Sequence, residues 1–122
     1  MSARRVLVLF GHPGRGGFNE AAVEGAARAA RAGHALQIEW IADNDPDRRT
    51  ERLADLCAAG PDLVIVHGGQ GDVPVARIAP RFARTQFAIT QGSHHAANVA
   101  SYDILQEPVS YTHLTLPTIL LV

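Results

Sequence analysis

The chain has 122 residues, of which 47% are hydrophobic, and a formal net charge of -1 from 11 basic and 12 acidic residues. This length predicts one domain or part of one, and the hydrophobic content is sufficient for a packed core. The nearly balanced charge gives no electrostatic argument for nucleic acid or an anionic membrane as a partner. The single cysteine, Cys57, excludes an internal disulfide and a cysteine-cluster metal site, and we expect it to be a small buried residue on a helix.

The first predicted strand is RRVLVLF, residues 4–10, a continuous aliphatic run that is typical of a strand buried on both faces. The run is short and no small-residue cleavage site follows it, so we interpret it as a strand and not as a signal peptide. No apolar run in the chain reaches transmembrane length. The next segment, FNEAAVEGAARAARAG, predicts a helix from about Asn19 to Ala32 that is closed by Gly33.

Strands and helices alternate along the rest of the sequence. ALQIEWI predicts the second strand, and DPDRRTERLADLCAAG predicts a helix with Asp45 as N-cap, Pro46 in its first turn and Gly60 at its end. The third strand is predicted at Leu63–Val66, a Pro-interrupted helix at DVPVARIAPRF, the fourth strand at TQFAITQG and the fifth at ANVASYDI. Helical segments of this length between strands predict right-handed crossovers and a parallel α/β sheet with helices on both faces.

Three polar, glycine-containing loops follow predicted strands: Gly11–Asn19, His67–Asp72 and Gln91–His95. Parallel sheets bind ligands at the carboxyl ends of their strands, so we expect these loops to meet at one edge and form a ligand cleft. Glycine allows backbone N–H groups to approach a ligand closely. The alternative interpretation is that these loops contain glycine only because tight turns between strands and helices require it.

Several types of site are not supported by the sequence. GHPGRGG does not have the spacing of a dinucleotide fingerprint, and the lysine of a phosphate-binding P-loop is absent. His94 and His95 are adjacent, and adjacent side chains rarely bind one ion, so we expect no metal. No Ser-His-Asp or Cys-His grouping is evident. The residues therefore give no support for a metal site or for nucleophilic catalysis.

Residues 6–108 resemble the basic membrane protein (PnrA-like) family of ABC-transporter substrate-binding proteins. The resemblance is carried by GGFNEAAVEGAARA, by LADLCAAGPDLVIVHGGQGDVPVARIAPRFARTQFAI and, most specifically, by NVASYDILQEP. It implies the N-terminal lobe of a type I periplasmic-binding-protein fold, with strand order 2-1-3-4-5. In such proteins two lobes close over a ligand, commonly a nucleoside, outside the cytoplasm, and deliver it to a membrane permease. The resemblance therefore implies a binding protein that needs no cofactor and is not an enzyme.

The resemblance also implies roles for six residues. Phe18 and Asn19 match the family's Phe-Asn pair, in which the aromatic ring stacks on a purine base; the alternative for Phe18 is a hydrophobic staple at the helix entrance. His67, Gly68 and Gln70 match the family's loop after strand three. Gln91 lies where many members carry an aspartate that holds ribose hydroxyls, and the first-loop aspartate of many members is not evident. A small polar ligand other than a nucleoside therefore stays open.

A second resemblance covers only VLVLFGHPGRGGFNEAAVEGA. Flavodoxin-like NAD(P)H quinone reductases open in the same way, with a strand, the dipeptide His-Pro, a gap and then Phe-Asn. Those enzymes follow strand three with a flavin-binding loop rich in proline and aromatic residues. Here the corresponding segment contains no aromatic residue before Phe82, so this resemblance is the weaker alternative.

The last 14 residues differ in composition from the preceding 108. VSYTHLTLPTILLV contains no alanine, arginine or glycine, and Val109–Thr118 can be back-translated to a string that resembles the transposon end and adapter of a sequencing library. We therefore expect residues 1–108 to be the lobe and residues 109–122 to be a non-native tail. The alternative is a genuine apolar C-terminal strand.

Overall fold

The computed structural model describes residues 4–13 and 17–102; the tail at 109–122 lies outside the described residues. Five strands and three helices alternate, with bounds β1 Arg5–Phe10, α1 Gly17–Arg31, β2 Gln37–Ile41, α2 Pro46–Cys57, β3 Leu63–His67, α3 Asp72–Ile78, β4 Gln86–Thr90 and β5 Val99–Tyr102. Short 3-10 turns precede and follow α3, at Gly69–Gly71 and Ala79–Arg81.

The strands form one sheet in the order β2-β1-β3-β4-β5, and every neighbouring pair is parallel. The predicted strand order and the parallel α/β fold are therefore confirmed. The central strands β1, β3 and β4 are buried along nearly their whole length, which explains why they contain continuous aliphatic runs without polar alternation.

Helices cover both faces of the sheet, as predicted. Alternate residues of a strand point to opposite faces, and the two faces belong to two separate apolar clusters. On one face α1 contributes Ala22 and Ala26, small side chains that allow the helix to lie close to Leu7, Leu9 and Ile65. On the other face α2 and α3 pack against β1, β3 and β4 through Leu53, Cys57, Val75, Ile78 and their neighbours.

The sequence signals for the ends of α2 act as predicted. The side chain of Asp45 accepts a hydrogen bond from the backbone N–H of Arg48 at 3.3 Å, and Pro46 occupies the first turn. Gly60 ends the segment with a φ of 78°, a conformation that disfavours other residues. Cys57 is buried with 1% of its surface exposed, as expected.

Two predicted boundaries were wrong in ways that affect the site. Helix α1 begins at Gly17 and not near Asn19, so Phe18 lies within its first turn. Strand β3 continues to His67, which the sequence placed in the following loop. The strand extends because His67 pairs in register with Leu9 on one side and Thr90 on the other.

Candidate ligand-binding edge of the sheet

The described parts of the loops after β1, β3 and β4 lie at the same edge of the sheet, as expected. Strands β1, β3 and β4 are adjacent and parallel, and their last residues are in register, with Leu9 opposite His67 and His67 opposite Thr90. The loops are also in contact with one another. A Cβ atom added to Gly69 would lie 3.2 Å from the carbonyl oxygen of Gln91. The fold therefore brings the predicted segments together at one surface, which we call the carboxyl edge.

His67 is a buried polar residue at this edge. Only 1% of its surface is exposed, and both ring nitrogens lie within hydrogen-bonding distance of a partner. Nδ1 is 2.7 Å from the Thr90 hydroxyl oxygen, and Nε2 is 3.0 Å from the carbonyl oxygen of Phe18. Burial lowers the pKa of the imidazole from 6.5 to about 4, although the bond to the Phe18 carbonyl acts in the opposite direction. The ring is therefore neutral at pH 7.

Phe18 lies in the first turn of α1, and its ring is stacked on the imidazole of His67. The ring centroids are 4.0 Å apart and the planes are inclined by 21°. Aromatic pairs in this arrangement contribute roughly 0.5–1.5 kcal/mol beyond their buried area. Phe18 is 44% exposed, so it lies at the surface and is not part of the core. A staple residue would precede the helix, whereas Phe18 lies inside it and packs on a residue of β3.

Asn19 and Gly68 connect the loops to the strand ends. The Asn19 side chain donates a hydrogen bond from Nδ2 to the carbonyl oxygen of Phe10 at 2.9 Å, which joins the start of α1 to the end of β1. The Gly68 N–H points toward Thr90, 3.0 Å from its carbonyl oxygen and 3.2 Å from its hydroxyl. Gly68 has a φ of 110°, and an added Cβ would lie 2.6 Å from Oε1 of Gln70 and 3.3 Å from the Phe18 ring. Glycine is therefore required here by both the backbone and the space available.

Gln70 and Gln91 present exposed side chains from neighbouring loops. Gln70 lies in the 3-10 turn that follows β3. Gln91 directly follows β4 and has a φ of 59°, and among the described residues it is the one non-glycine residue with a positive φ. Its backbone N–H donates to the carbonyl oxygen of Tyr102 at 2.7 Å, which fixes this conformation. The two amides can each donate and accept hydrogen bonds.

Asp72, the first residue of α3, organises the loop after β4. Its carboxylate accepts hydrogen bonds from the Ser93 backbone N–H at 2.9 Å, the Ser93 hydroxyl at 3.0 Å and the His94 N–H at 3.2 Å. Burial alone would raise the pKa of Asp72, but these hydrogen bonds outweigh it and the pKa is lowered. The carboxylate therefore serves as an internal anchor that ties α3 to the loop at Gly92–His95.

Thr90 and Asp72 are the important residues of this edge that the sequence did not single out. Each acts on a residue about twenty positions away, so no local spacing reveals it. The available signal was chemical: Thr90 is a hydroxyl residue at the end of an otherwise apolar strand, QFAIT. Such a group, once buried, requires a hydrogen-bond partner.

Other candidate sites are not supported by the described part of the chain. Within residues 4–13 and 17–102, no group of three or more His, Cys, Asp or Glu side chains could hold a metal ion. A cavity of about 140 Å³ lies between β2 and α2, lined by Glu39, Trp40, Ile41, Arg52, Asp55 and Leu56. It contains none of the predicted site residues and is small for a ligand pocket. In the same two ranges, no helix has the length and apolar character needed to cross a membrane.

Comparison with known proteins places the chain beside solute-binding proteins. No protein-family model and no curated sequence matches it. An ABC transporter solute-binding protein from Aeropyrum pernix K1 superimposes with a TM-score of 0.66 and 30% identity over 81% of this chain and 28% of its own. One from Conexibacter woesei DSM 14684 gives 0.65 and 28%, over 81% of this chain and 34% of its own. The chain therefore spans about a third of the length of these two proteins.

A third structure matches over its whole length. A fragment from Peptoclostridium difficile 630, provisionally named a lipoprotein, superimposes with a TM-score of 0.70 and 17% identity, covering 98% of this chain and 99% of its own. At this identity the match shows the shared fold alone. Together the comparisons show that the chain is similar to part of ABC transporter solute-binding proteins and has their parallel α/β fold.

Proposed function

We propose that residues 1–108 are the N-terminal lobe of a solute-binding protein of an ABC importer. In this proposal the protein binds a small polar ligand, a purine nucleoside, without changing it chemically. It delivers the ligand to a membrane permease and works outside the cytoplasm. The similarity to two ABC transporter solute-binding proteins supports the class of function. The nucleoside is the finer part of the proposal and rests on the site residues.

The observation that carries the proposal is the position of the Phe18 ring. Phe18 is 44% exposed at the edge where the loops meet, and its ring is stacked on the imidazole of His67. A rigid aromatic ring at a binding edge provides a surface on which a planar base can stack, and such stacking contributes roughly 1–3 kcal/mol. The pair Phe18–His67 is electrically neutral at pH 7 because the pKa of His67 is low.

The polar groups beside the ring favour a neutral ligand. Gln70 and Gln91 provide exposed amides on the two adjoining loops, and amides can bind the hydroxyl groups or base edges of a nucleoside. The Asp72 carboxylate accepts hydrogen bonds from Ser93 and His94, so the neighbouring loop already engages its charge. We therefore assign the hydroxyl-binding role to Gln91, with weaker bonds than a carboxylate would make.

Calorimetry of the protein that contains this chain together with its second lobe tests the proposal. Inosine, guanosine and adenosine are the probes. We expect one of them to bind and to be recovered unchanged by chromatography. Phe18→Leu should weaken binding by about five- to 150-fold, which corresponds to a stacking energy of roughly 1–3 kcal/mol. Phe18→Tyr keeps the ring and should retain the affinity.

The outcomes distinguish the parts of the proposal. Unchanged affinity in Phe18→Leu would remove Phe18 from the site. Absence of binding for all three probes would refute the nucleoside. Release of a free base would identify an enzyme, and a flavin absorbance in the purified protein would favour the quinone-reductase alternative.

A further inference from the structure

The hydrogen bonds around His67 define which ring nitrogen carries the proton. The carbonyl oxygen of Phe18 can only accept, so the contact of 3.0 Å requires a proton on Nε2. A neutral imidazole then has an unprotonated Nδ1, which must accept from the Thr90 hydroxyl at 2.7 Å. The Thr90 hydroxyl oxygen in turn accepts from the Gly68 N–H at 3.2 Å, a donor that it shares with the Thr90 carbonyl oxygen at 3.0 Å. All three donors therefore point in one direction, from Gly68 through Thr90 and His67 to Phe18.

We propose that Thr90 is a positioning residue: its hydroxyl donates to Nδ1 and so holds the imidazole of His67 in the orientation in which Nε2–H binds the Phe18 carbonyl and the ring stacks on Phe18 at the carboxyl edge. His67 contacts Phe18 in two ways, through the carbonyl oxygen and through the stacked ring 4.0 Å away. The orientation of the imidazole therefore determines both the start of α1 and the exposed aromatic surface. The consequence for ligand binding rests on the proposed function, whereas the tautomer does not.

The other tautomer is incompatible with the observed contacts. With the proton on Nδ1, the unprotonated Nε2 would face the Phe18 carbonyl oxygen, and two acceptors at 3.0 Å repel each other. The Phe18 carbonyl, which can only accept, therefore selects the Nε2–H tautomer, and the Thr90 hydroxyl, which can donate or accept, supplies the donor that the unprotonated Nδ1 needs. Removing the hydroxyl leaves Nδ1 without this donor, in a ring that is 1% exposed. The ring is then expected to keep its proton on Nε2, to lose its fixed orientation and to loosen its hold on Phe18.

Nitrogen-detected NMR of the 122-residue chain at pH 7 tests the tautomer directly. Long-range proton–nitrogen spectra should show His67 with a protonated Nε2 and an unprotonated Nδ1, with the signals assigned by their loss in His67→Gln. In Thr90→Val the signal of the unprotonated Nδ1 should move to the position of a nitrogen that accepts no hydrogen bond, while Nε2 stays protonated. The Phe18 ring protons, shifted by the stacked imidazole, should move toward the values of an unstacked ring.

Two matched variants separate positioning from general loosening. Thr90→Ser keeps the hydroxyl and should restore both signatures. Thr85→Val removes another buried hydroxyl, the one that donates to the Pro61 carbonyl at 2.8 Å just before the same strand, and should leave both signatures unchanged. A wild-type His67 protonated on Nδ1 overturns the proposal even if Thr90→Val does not fold. So does a Thr90→Val spectrum that matches wild type, or one that Thr85→Val reproduces.

Inosine titration of the two-lobed protein provides the binding measurement. If the proposed function holds, Thr90→Val should weaken inosine binding by about tenfold, the effect of one net hydrogen bond on the position of Phe18. Thr90→Ser should bind as wild type does. Changed NMR signatures with no inosine binding in any variant would refute the nucleoside and support the role of Thr90. Unchanged signatures with normal inosine binding would refute the role of Thr90 and support the nucleoside.

Discussion

The buried imidazole of His67 makes the stability of the protein depend on pH in a defined window. Its pKa is about 4 in the folded state, against 6.5 for an ordinary histidine, because burial disfavours the charged ring. The unfolded chain therefore binds a proton at this position below pH 6.5, whereas the folded chain binds it only near pH 4. Protons stabilise the state that binds them, so the contribution of His67 is present above pH 6.5 and is lost as the pH falls toward 4.

The two pKa values give the magnitude of the effect. Between pH 7 and pH 5 the free energy of unfolding should fall by about 2 kcal/mol, and by pH 4 the loss approaches about 3 kcal/mol. Asp72, whose pKa is lowered, acts at lower pH, because its contribution is lost only as the pH falls below the ordinary value of 3.8. The window from pH 7 to pH 5 therefore isolates His67 from this carboxylate.

Urea unfolding at pH 7 and pH 5 measures the effect through the midpoint and slope of each transition. His67→Gln removes the titrating group and should reduce the change between the two pH values by about 2 kcal/mol, whatever its own stability. Thr85→Val lowers stability without changing a titrating group, so it should keep the wild-type change. A His67→Gln variant with the same pH dependence as wild type would refute the reasoning, because other groups would then cause it.

Four further predictions concern two glycines, Cys57, the N-cap of α2 and the C-terminal segment. Gly60→Ala should lower the free energy of unfolding by about 1 kcal/mol because the φ of this residue is positive. Gly68→Ala should lower it by more, because its Cβ would also crowd Oε1 of Gln70 and the Phe18 ring. Urea unfolding of both variants tests this. Cys57, 1% exposed and with its pKa raised by burial to about 11, should react with a thiol reagent at pH 8 only when urea unfolds the protein. Asp45→Ala removes the N-cap of α2 and should cost about 1 kcal/mol in urea unfolding, whereas Asp45→Asn should cost less. Deletion of residues 109–122 should leave the free energy of unfolding in urea nearly unchanged. A loss of several kcal/mol on deletion would show that the segment belongs to the domain.

The sequence was sufficient to predict the sheet because its signals there are local and repeated. Continuous aliphatic runs identified β1, β3 and β4, and the helical segments between them required parallel crossovers. The N-cap at Asp45 and the terminating glycine at Gly60 are also local features, and both lie where the sequence placed them. The carboxyl edge followed from the topology, since parallel strands end on the same side.

The internal structure of the candidate site could not be predicted in the same way. His67 was assigned to a loop because a polar residue usually ends a buried run, yet it continues β3 with its ring nitrogens bonded to Thr90 and Phe18. These partners are 23 and 49 positions away along the chain. The start of α1 was misplaced for a related reason, because stacking on His67 places Phe18 within the first helical turn. Contacts of this kind depend on the assembled fold and leave no periodic signal.

The arrangement at the carboxyl edge separates buried groups that hold the loops together from side chains that are exposed to solvent. His67, Thr90 and the Gly68 N–H are buried and bonded to one another, and Asp72 binds the next loop. The exposed side chains include those of Phe18, Gln70 and Gln91, an aromatic ring and two amides.

Gln91 shows that this arrangement is maintained against a local cost. A non-glycine residue with a φ of 59° is unfavourable by roughly 1–2 kcal/mol, and the bond from its N–H to Tyr102 helps to hold it there. A glycine at position 91 would adopt this backbone without strain, but it would provide no amide side chain. Strained backbone is concentrated at binding sites because the surrounding structure can enforce a side-chain position that the residue alone would not adopt. The strain at Gln91 and the stacked Phe18 thus point to the same surface, and both arise from contacts between strands that are adjacent only in the folded chain.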